Sequence, residues 1–193
     1  DKEKYLKDAK NIENEFFDLL LHDEYNRKSR TVFYCAQSYY DSKLYDQSYK
    51  WYSLYTNLKN TWIEEMFESY IRMADCLINM DGHIDDIVEL ISKAIKLLPE
   101  KAEPYCLLGD YFLNFQKYEK AFFCFHKASQ KSYDKVTSLY SLFTNINAYN
   151  DSVLYKLALS SFHTNRFELF NDLCEKLKDN YPFLNILKNK LKS

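Results

Sequence analysis

Glycine and proline are scarce in this sequence, with two glycines and three prolines among 193 residues. Domains built from β-strands use both freely, because tight turns need backbone conformations that other residues adopt with difficulty. The shortage argues against an all-β fold and favours helices. Two glycines also leave little room for a glycine-rich phosphate-binding loop, and no GxSxG or protein-kinase signature occurs in the sequence.

No excess of either charge is present, since 26 basic and 28 acidic residues give a net charge of −2. A nucleic-acid-binding surface needs a cluster of basic residues, and the sequence has no such block. Apolar runs such as residues 16–21 are far shorter than the roughly 20 residues that cross a bilayer. The first residues also lack the apolar region of a signal peptide. We therefore expect no nucleic-acid partner and no membrane span.

Disulfide and zinc-site patterns are missing too. The five cysteines are odd in number and contain no CxxC pair, and no histidine has another histidine or a cysteine four residues away. This pattern predicts free core thiols in a reducing, cytoplasmic compartment. We expect no catalytic residues, no metal and no cofactor. One alternative stays open at this stage, namely a cysteine and a histidine brought together by the fold.

What the sequence does contain is apolar and aromatic residues, at 47% and 18%, which indicates a packed core rather than a disordered chain. Much of this material follows a repeated pattern. Two segments, residues 32–55 and 105–128, match in kind at nearly every apolar position. Residues 154–177 follow the same pattern, and residues 69–80 begin a weaker copy. The chain therefore consists mainly of internal repeats.

Each repeat combines one small residue with an apolar stripe. The small residues, where two helices are expected to cross, are Ala36, Ala74, Gly109 and Ala158. The stripes at spacing i, i+4, i+7 are Ser48, Tyr52, Tyr55; Ile87, Ile91, Ala94; Ala121, Phe125, Ala128; and Phe170, Cys174, Leu177. Such stripes are typical of helices that bury one face. The small residues lie 38, 35 and 49 positions apart, compared with about 34 in a plain tetratricopeptide repeat. We therefore predict an all-α, tetratricopeptide-like α-α superhelix, a solenoid of antiparallel helix pairs.

We predict that residues 1–193 form a single helical-repeat domain. A leading helix is expected over 1–22, from apolar residues at helical spacing, including Leu19 and Leu20. The predicted repeats cover about 30–58, 66–98, 103–130 and 151–180. The extra length between the last two, residues 131–150, is predicted to be an insertion that includes a short helix. A terminal helix with a basic polar face is expected over 183–193.

Two phrases, FYCAQSYYD at 33–41 and AEPY at 102–105, give the chain a family likeness. It resembles the tetratricopeptide region found C-terminal to family 2 glycosyltransferase domains. The resemblance implies a nucleotide-sugar transferase domain before residue 1, with this chain as its non-catalytic accessory region. The sequence itself shows no Asp-x-Asp metal motif of that family. Asp85 and Asp86 are better explained as the start of a helix, where acidic residues interact favourably with the helix dipole.

The first helix of each pair is expected to line a concave binding face. The residues predicted there are Arg30, Gln37, Asp41, Arg72, Asp75, Asn79, Asp110, Asn114 and His163. This acidic and amide-rich face would suit a basic or hydroxyl-bearing partner. The alternative is a solvated helix face that binds nothing. A group of aromatic residues, Tyr45, Tyr49, Trp51, Tyr55 and Trp62, has two interpretations as well, either inter-helix packing or a surface for protein or sugar.

The sequence thus favours a non-catalytic helical-repeat scaffold that binds a protein, of unknown identity, or a glycan. The resemblance implies that this chain is the accessory region of a glycosyltransferase. The glycan substrate of that enzyme is then a further possible partner. Two alternatives remain, a free-standing tetratricopeptide adaptor and a self-associating structural protein. An enzyme is the least favoured interpretation.

Overall fold

A computed structural model of the chain describes residues 2–21, 25–59, 61–177 and 181–191, with side chains at 19–28 outside the description. Within these ranges the regular structure is all helical and contains no strand. The side chains of Leu19 and Leu20, His22, the predicted repeat end at 178–180 and the last two residues of the predicted terminal helix lie outside the described residues.

The described residues form eleven α-helices and one 3-10 helix. Their bounds are α1 Lys2–Leu21, α2 Tyr25–Asp41, α3 Tyr45–Thr56, α4 Ile63–Asn79, α5 Ile84–Leu97, α6 Glu103–Asn114, α7 Tyr118–Ser129, α8 Tyr133–Leu139, the 3-10 helix Ile146–Ala148, α9 Asp151–His163, α10 Phe167–Leu177 and α11 Pro182–Lys190. The expected short helix of the insertion is therefore present as α8. Asp85 and Asp86 lie in the first turn of α5, as predicted.

The helices belong to two compact units, Asp1–Pro99 and Glu100–Ser193. In the first unit, each of the helices α1 to α4 packs against the next one in sequence. In the second unit, α6 packs against α7, α7 against α9, and α9 against α10, with α11 beside α9 and α10. The helix pairs α2–α3, α4–α5, α6–α7 and α9–α10 lie in the regions of the four predicted repeats, whose bounds stay predictions. The single domain over 1–193 stays a prediction.

The small residues lie where the sequence pattern places them, in the interior. Ala36, Ala74 and Ala158 have no exposed surface. Gly109 is buried against α7, and a Cβ atom there would be 2.8 Å from two ring carbons of Phe125. All twelve residues of the four stripes are buried as well. The predicted packing faces are therefore confirmed by the burial of these residues. Small side chains at the crossing points let paired helices approach closely.

The four turns between paired helices share one backbone conformation. In each turn, the residue seven positions after the small residue has a positive φ, which is unfavourable for side chains other than glycine. These residues are Lys43 (59°), Asp81 (54°), Gln116 (55°) and Asn165 (60°). The next residue then donates its N–H to the carbonyl five positions earlier, at 2.7 to 3.0 Å in the four turns. This bond is the closing bond of a Schellman-type helix end, so the four turns are structurally equivalent.

The insertion is attached to the start of α6 by polar contacts. The side chain of Lys101 is fully buried, and its Nζ donates to the Leu142 carbonyl at 2.8 Å and to Thr144 Oγ1 at 3.0 Å. The Glu103 carboxylate accepts the Asn145 N–H and the Tyr149 hydroxyl, both at 2.8 Å. We call Lys101 and Glu103 the 101–103 anchor. It joins residues about 40 positions apart inside the second unit.

Candidate functional site

The nine residues of the predicted binding face are divided between the two units. Arg30, Gln37 and Asp41 lie on α2 and Arg72, Asp75 and Asn79 on α4, all in the first unit. The second unit holds the other three, with Asp110 and Asn114 on α6 and His163 on α9. The surroundings of the nine side chains differ, and they separate the set into exposed residues and residues engaged in helix-helix contacts.

Gln37 and Asp41 line an open groove between α1 and α2, which we call the α1–α2 groove. Its volume is about 350 Å³. The lining residues are Tyr5, Asp8, Asn11 and Ile12 from α1, with Tyr34, Gln37, Ser38 and Asp41 from α2. The groove is therefore amphipathic, with two aspartates, one aliphatic side chain and two partly exposed tyrosine rings.

The contribution of α1 to this groove was not predicted, because the leading helix was interpreted only as a cap for the first repeat. A signal is nevertheless present in the sequence. Tyr5, Asp8 and Ile12 are spaced i, i+3 and i+7, so they lie on one face of α1. Burial raises the pKa of Asp41 at the α2 side of the groove, while the charge of Arg72 opposes this rise.

Arg30 extends the same surface toward the beginning of α2. Its guanidinium lies 6.0 Å from the ring centre of Tyr34 and 5.5 Å from that of Trp62. Both rings are accessible, with Tyr34 43% and Trp62 56% exposed. Arg30, Tyr34, Gln37 and Asp41 are spaced by four, three and four residues, which places them along one side of the helix. We call these four residues the α2 stripe.

Arg72 and Asp75 instead take part in contacts between α2 and α4. The Arg72 Nε donates to Glu68 Oε1 at 2.5 Å, and its guanidinium lies 4.2 Å from the ring centre of Tyr40. The Tyr40 hydroxyl donates to Asp75 Oδ2. Burial, and then this bond to Asp75, raise the pKa of Tyr40. These polar side chains hold two first helices together, a role that their spacing alone did not indicate.

Asn79, at the end of α4, makes a local contact. Its Nδ2 donates to the backbone carbonyl of Asp75 at 2.8 Å. The side chain is exposed, so its amide oxygen faces solvent.

In the second unit, two of the three predicted residues contact neighbouring helices. Asp110 forms an ion pair with Lys156 at 2.6 Å, which connects α6 with α9. The His163 ring stacks on Tyr118, with centres 4.0 Å apart and planes at 9°. Burial lowers the pKa of His163, so the ring is neutral near pH 7. Asn114 is exposed at the end of α6.

The aromatic group divides between the two interpretations. Trp51 and Tyr55 are buried and pack in the core, whereas Trp62 is exposed beside Arg30. Tyr45 and Tyr49 are half-buried. Tyr49 also lines a second cleft of about 270 Å³ between α3, α4 and α5. The other side chains lining this cleft are Ser53, Thr56, Asn57, Tyr70, Met73, Asp86, Glu89, Leu90 and Lys93.

The five cysteines are free, as predicted, and four of them are buried, while Cys106 is only half-buried. Burial raises the pKa of Cys35 and that of Cys106 to about 12, with smaller contributions from Glu13 and Asp110 respectively. Protonated thiols are poor nucleophiles. In the part of the chain that the structure describes, no three His, Cys, Asp or Glu side chains cluster as metal ligands. Among the described helices, none is both long and apolar enough to cross a membrane.

Comparison with known proteins identifies the fold. No protein-family model and no curated protein sequence matches the chain. Two solved structures of MamA, a tetratricopeptide-like protein, are similar in three dimensions. The first has 17% identity and a TM-score of 0.56, with 83% of this chain and 84% of that chain covered. The second has 15% identity and a TM-score of 0.57, with 91% of both chains covered. The predicted all-α, tetratricopeptide-like fold is thereby confirmed.

Proposed function

We propose that this chain is a non-catalytic helical-repeat scaffold that binds a protein partner through the α2 stripe and the α1–α2 groove. The observation that carries this proposal is the accessibility of charged and aromatic groups along one side of α2. Arg72, Asp75 and Asp110 serve contacts between helices, whereas Arg30, Gln37 and Asp41 face solvent or the open groove. The accessible residues of the predicted face considered in this proposal are therefore those on α2, in the first unit.

The composition of this surface supports the proposal. Tyrosine, tryptophan and arginine dominate the binding energy of many protein interfaces, because they combine a large apolar area with polar groups. Here the Arg30 guanidinium lies near the exposed rings of both Tyr34 and Trp62. Among the described residues, Arg30 contacts two rings and no carboxylate. Tyr34 connects this cluster with the groove, and the binding surface is therefore continuous.

A capture experiment with matched variants tests the proposal. The intact chain, immobilised, is compared with Tyr34→Ala and with Gln37→Arg for capture of a partner from extracts of the source cells. Phe123→Ala is the control, because Phe123 is 61% exposed on α7 in the other unit. We expect one partner to be captured by the wild type and by the control, and to be lost with both α2 variants. Equal capture by all four proteins would contradict the proposal.

The finer form of the proposal is that this scaffold is the accessory region of a glycosyltransferase in a reducing, cytoplasmic compartment. Its support is the sequence likeness at 33–41 and 102–105, together with the five free thiols. The chain alone, incubated with nucleotide sugars and manganese, should transfer no sugar. It should bind a separately prepared family 2 glycosyltransferase domain. Sugar transfer by the chain alone would contradict the non-catalytic part of this proposal.

A glycan is the second candidate partner, and the cleft between α3, α4 and α5 favours it. Tyr49 and Tyr70 offer aromatic rings, while Asp86 and Asn57 offer hydrogen-bond acceptors for sugar hydroxyls. A glycan array probed with the wild type and with a Tyr49→Ala, Tyr70→Ala variant tests this role. We expect any glycan signal to disappear in the variant. A signal that survives both changes would exclude this cleft.

A further inference from the structure

We propose that the partner presents a short extended peptide with one acidic and one basic side chain about five residues apart. The acidic side chain binds Arg30 beside Trp62, and the basic side chain binds between Asp8 and Asp41 in the α1–α2 groove. This inference rests on the proposed protein-binding function and specifies the chemistry of the partner. It follows from the opposite charges at the two ends of the α2 stripe.

The spacing comes from helix geometry. Arg30 and Asp41 are eleven positions apart on α2, which corresponds to about 16 Å at 1.5 Å per residue. An extended peptide covers this distance with about five residues at about 3.3 Å each. Tyr34 and Gln37 lie between the two charges, so the middle of the peptide contacts a ring and an amide. The amide can bond to peptide backbone groups.

The basic end of the peptide meets two carboxylates. Asp8 from α1 and Asp41 from α2 line the same groove, together with Ile12 and Tyr5. Lysine and arginine have long aliphatic stems that pack on apolar surface while the charged group stays in contact with water or polar groups. Arg72, whose charge acts on Asp41, is already engaged by Glu68 at 2.5 Å. The two carboxylates of the groove therefore offer a partner ammonium or guanidinium group two acceptors.

The acidic end meets a positioned guanidinium. The Arg30 guanidinium lies within about 6 Å of the ring centres of Tyr34 and Trp62, and a guanidinium group can donate two parallel hydrogen bonds to a carboxylate. Ile63, next to Trp62, is 48% exposed and extends the apolar surface. A peptide residue beside the acidic one is therefore expected to be apolar. The site thus differs at its two ends in both charge and shape.

A charge-swap experiment tests this inference with the full chain. Five labelled peptides are built on one uncharged sequence. In four of them, two positions five residues apart hold an acidic and a basic residue, two acidic residues, two basic residues or two uncharged residues. The fifth peptide has the acidic and the basic residue only two positions apart. Binding is measured by fluorescence anisotropy at low salt. We expect the five-residue acid–base peptide to bind the wild type about tenfold more tightly than the others, since like charges at an interface are strongly unfavourable.

Single substitutions should then change the preference in a defined way. Asp41→Lys should lose the preference for the five-residue acid–base peptide, because the new ammonium group offsets the Asp8 carboxylate in the groove, and Arg30→Glu should prefer the base–base peptide. Asp46→Lys is the matched control, because Asp46 is exposed on α3 and pairs only locally with Lys50. It changes the net charge as Asp41→Lys does, and should keep the wild-type preference. All substituted positions are exposed, and circular dichroism verifies that each variant is folded.

Three outcomes would overturn the inference. They are equal binding of all peptides, a preference that does not follow the substitutions, and no peptide binding at all. In each case the proposed function is judged separately by the capture experiment, since loss of the protein partner in Tyr34→Ala supports it whatever the peptide result. If both experiments fail, both proposals are wrong.

Discussion

At the scale of single residues, the interior tyrosines divide by what their hydroxyl groups contact. Tyr39 donates to Glu13 at 2.9 Å and Tyr55 to Glu65 at 2.6 Å. The hydroxyl of Tyr52 is buried and, among the described residues, has no hydrogen-bond partner. Burial also raises its pKa, so this hydroxyl stays protonated. Burying a hydroxyl group without a hydrogen-bond partner destabilises the folded state, whereas burying the aromatic ring does not.

Replacing Tyr52 with phenylalanine should therefore stabilise the chain. We expect the free energy of unfolding to rise by about 1 kcal/mol, because the unpaired group disappears and the ring remains. Urea denaturation followed by circular dichroism measures the change. Tyr55→Phe is the matched control and should destabilise by about 1 to 3 kcal/mol, since buried Glu65 then loses its donor. Destabilisation by Tyr52→Phe would mean that the hydroxyl has a partner.

Gly109→Ala should destabilise the chain although alanine is the better helix former. The added Cβ would lie 2.8 Å from the buried ring of Phe125 and 3.2 Å from Cys124 Cβ. We expect this overpacking to cost about 1 to 3 kcal/mol. After the gain of about 1 kcal/mol in helix propensity, the net loss of stability should reach up to about 2 kcal/mol. Denaturant melts give the value. Gly109→Ala combined with Phe125→Leu should recover part of the loss, and additive effects would contradict the proposed clash.

The buried thiols should make stability depend on pH in alkaline solution. Burial raises the pKa of Cys35 from 9.0 to about 12 and that of Cys124 to about 11. The unfolded chain therefore releases these protons first, so stability is complete below about pH 9 and falls as the pH rises toward 12. We also expect slow alkylation by iodoacetamide at pH 8 until the chain is unfolded. Rapid alkylation of the native protein would contradict these directions.

At the scale of helices and turns, the four helix pairs share one feature: a residue in the left-handed backbone conformation follows the first helix of each pair. Lysine and glutamine at such positions raise the energy of the folded state, whereas asparagine tolerates the conformation better. The turns keep these residues because the closing backbone bonds, such as Lys117 N–H to the Phe112 carbonyl at 2.8 Å, fix the chain direction.

Lys43→Gly and Gln116→Gly should each stabilise the protein. Glycine adopts positive φ without steric cost, and the cost removed is about 1 kcal/mol, reduced in part by the greater freedom of glycine in the unfolded chain. Thermal denaturation measures both variants. Asn165→Gly serves as the comparison and should have a smaller effect. If all three changes destabilise, the side chains contribute contacts that outweigh the backbone relief.

The helix pairs could be predicted from the sequence better than the turns and the polar contacts that connect the helices. Ala36 and the stripe of Ser48, Tyr52 and Tyr55 could be predicted because helical periodicity directly reflects burial. The left-handed turn residues could not, since lysine, aspartate, glutamine and asparagine have no common side-chain signal. The Tyr40–Asp75 contact joins residues 35 positions apart, and such pairing depends on how helices cross rather than on local spacing.

At the scale of the whole molecule, the two compact units differ in how their ends are held. In the first unit, α1 packs along α2, and Ala9 and Phe16 of α1 are buried. In the second unit, the insertion is bound to the residues that precede and begin α6. The proposed binding surface belongs to the first unit, so changes in the insertion should leave peptide binding unchanged.

A protease cut after Leu142 and before Asn145 should therefore not release either fragment. The 101–103 anchor holds the chain on both sides of such a cut, through the Leu142 carbonyl and the Tyr149 hydroxyl. We expect the two pieces to elute together in native gel filtration and to separate only in denaturant. A Lys101→Met, Glu103→Gln variant, cut in the same way, should fall apart more readily. A covalently broken chain would thus behave as one particle, with its two pieces held by the packing of α9 against α7 and by the contacts of Lys101 and Glu103.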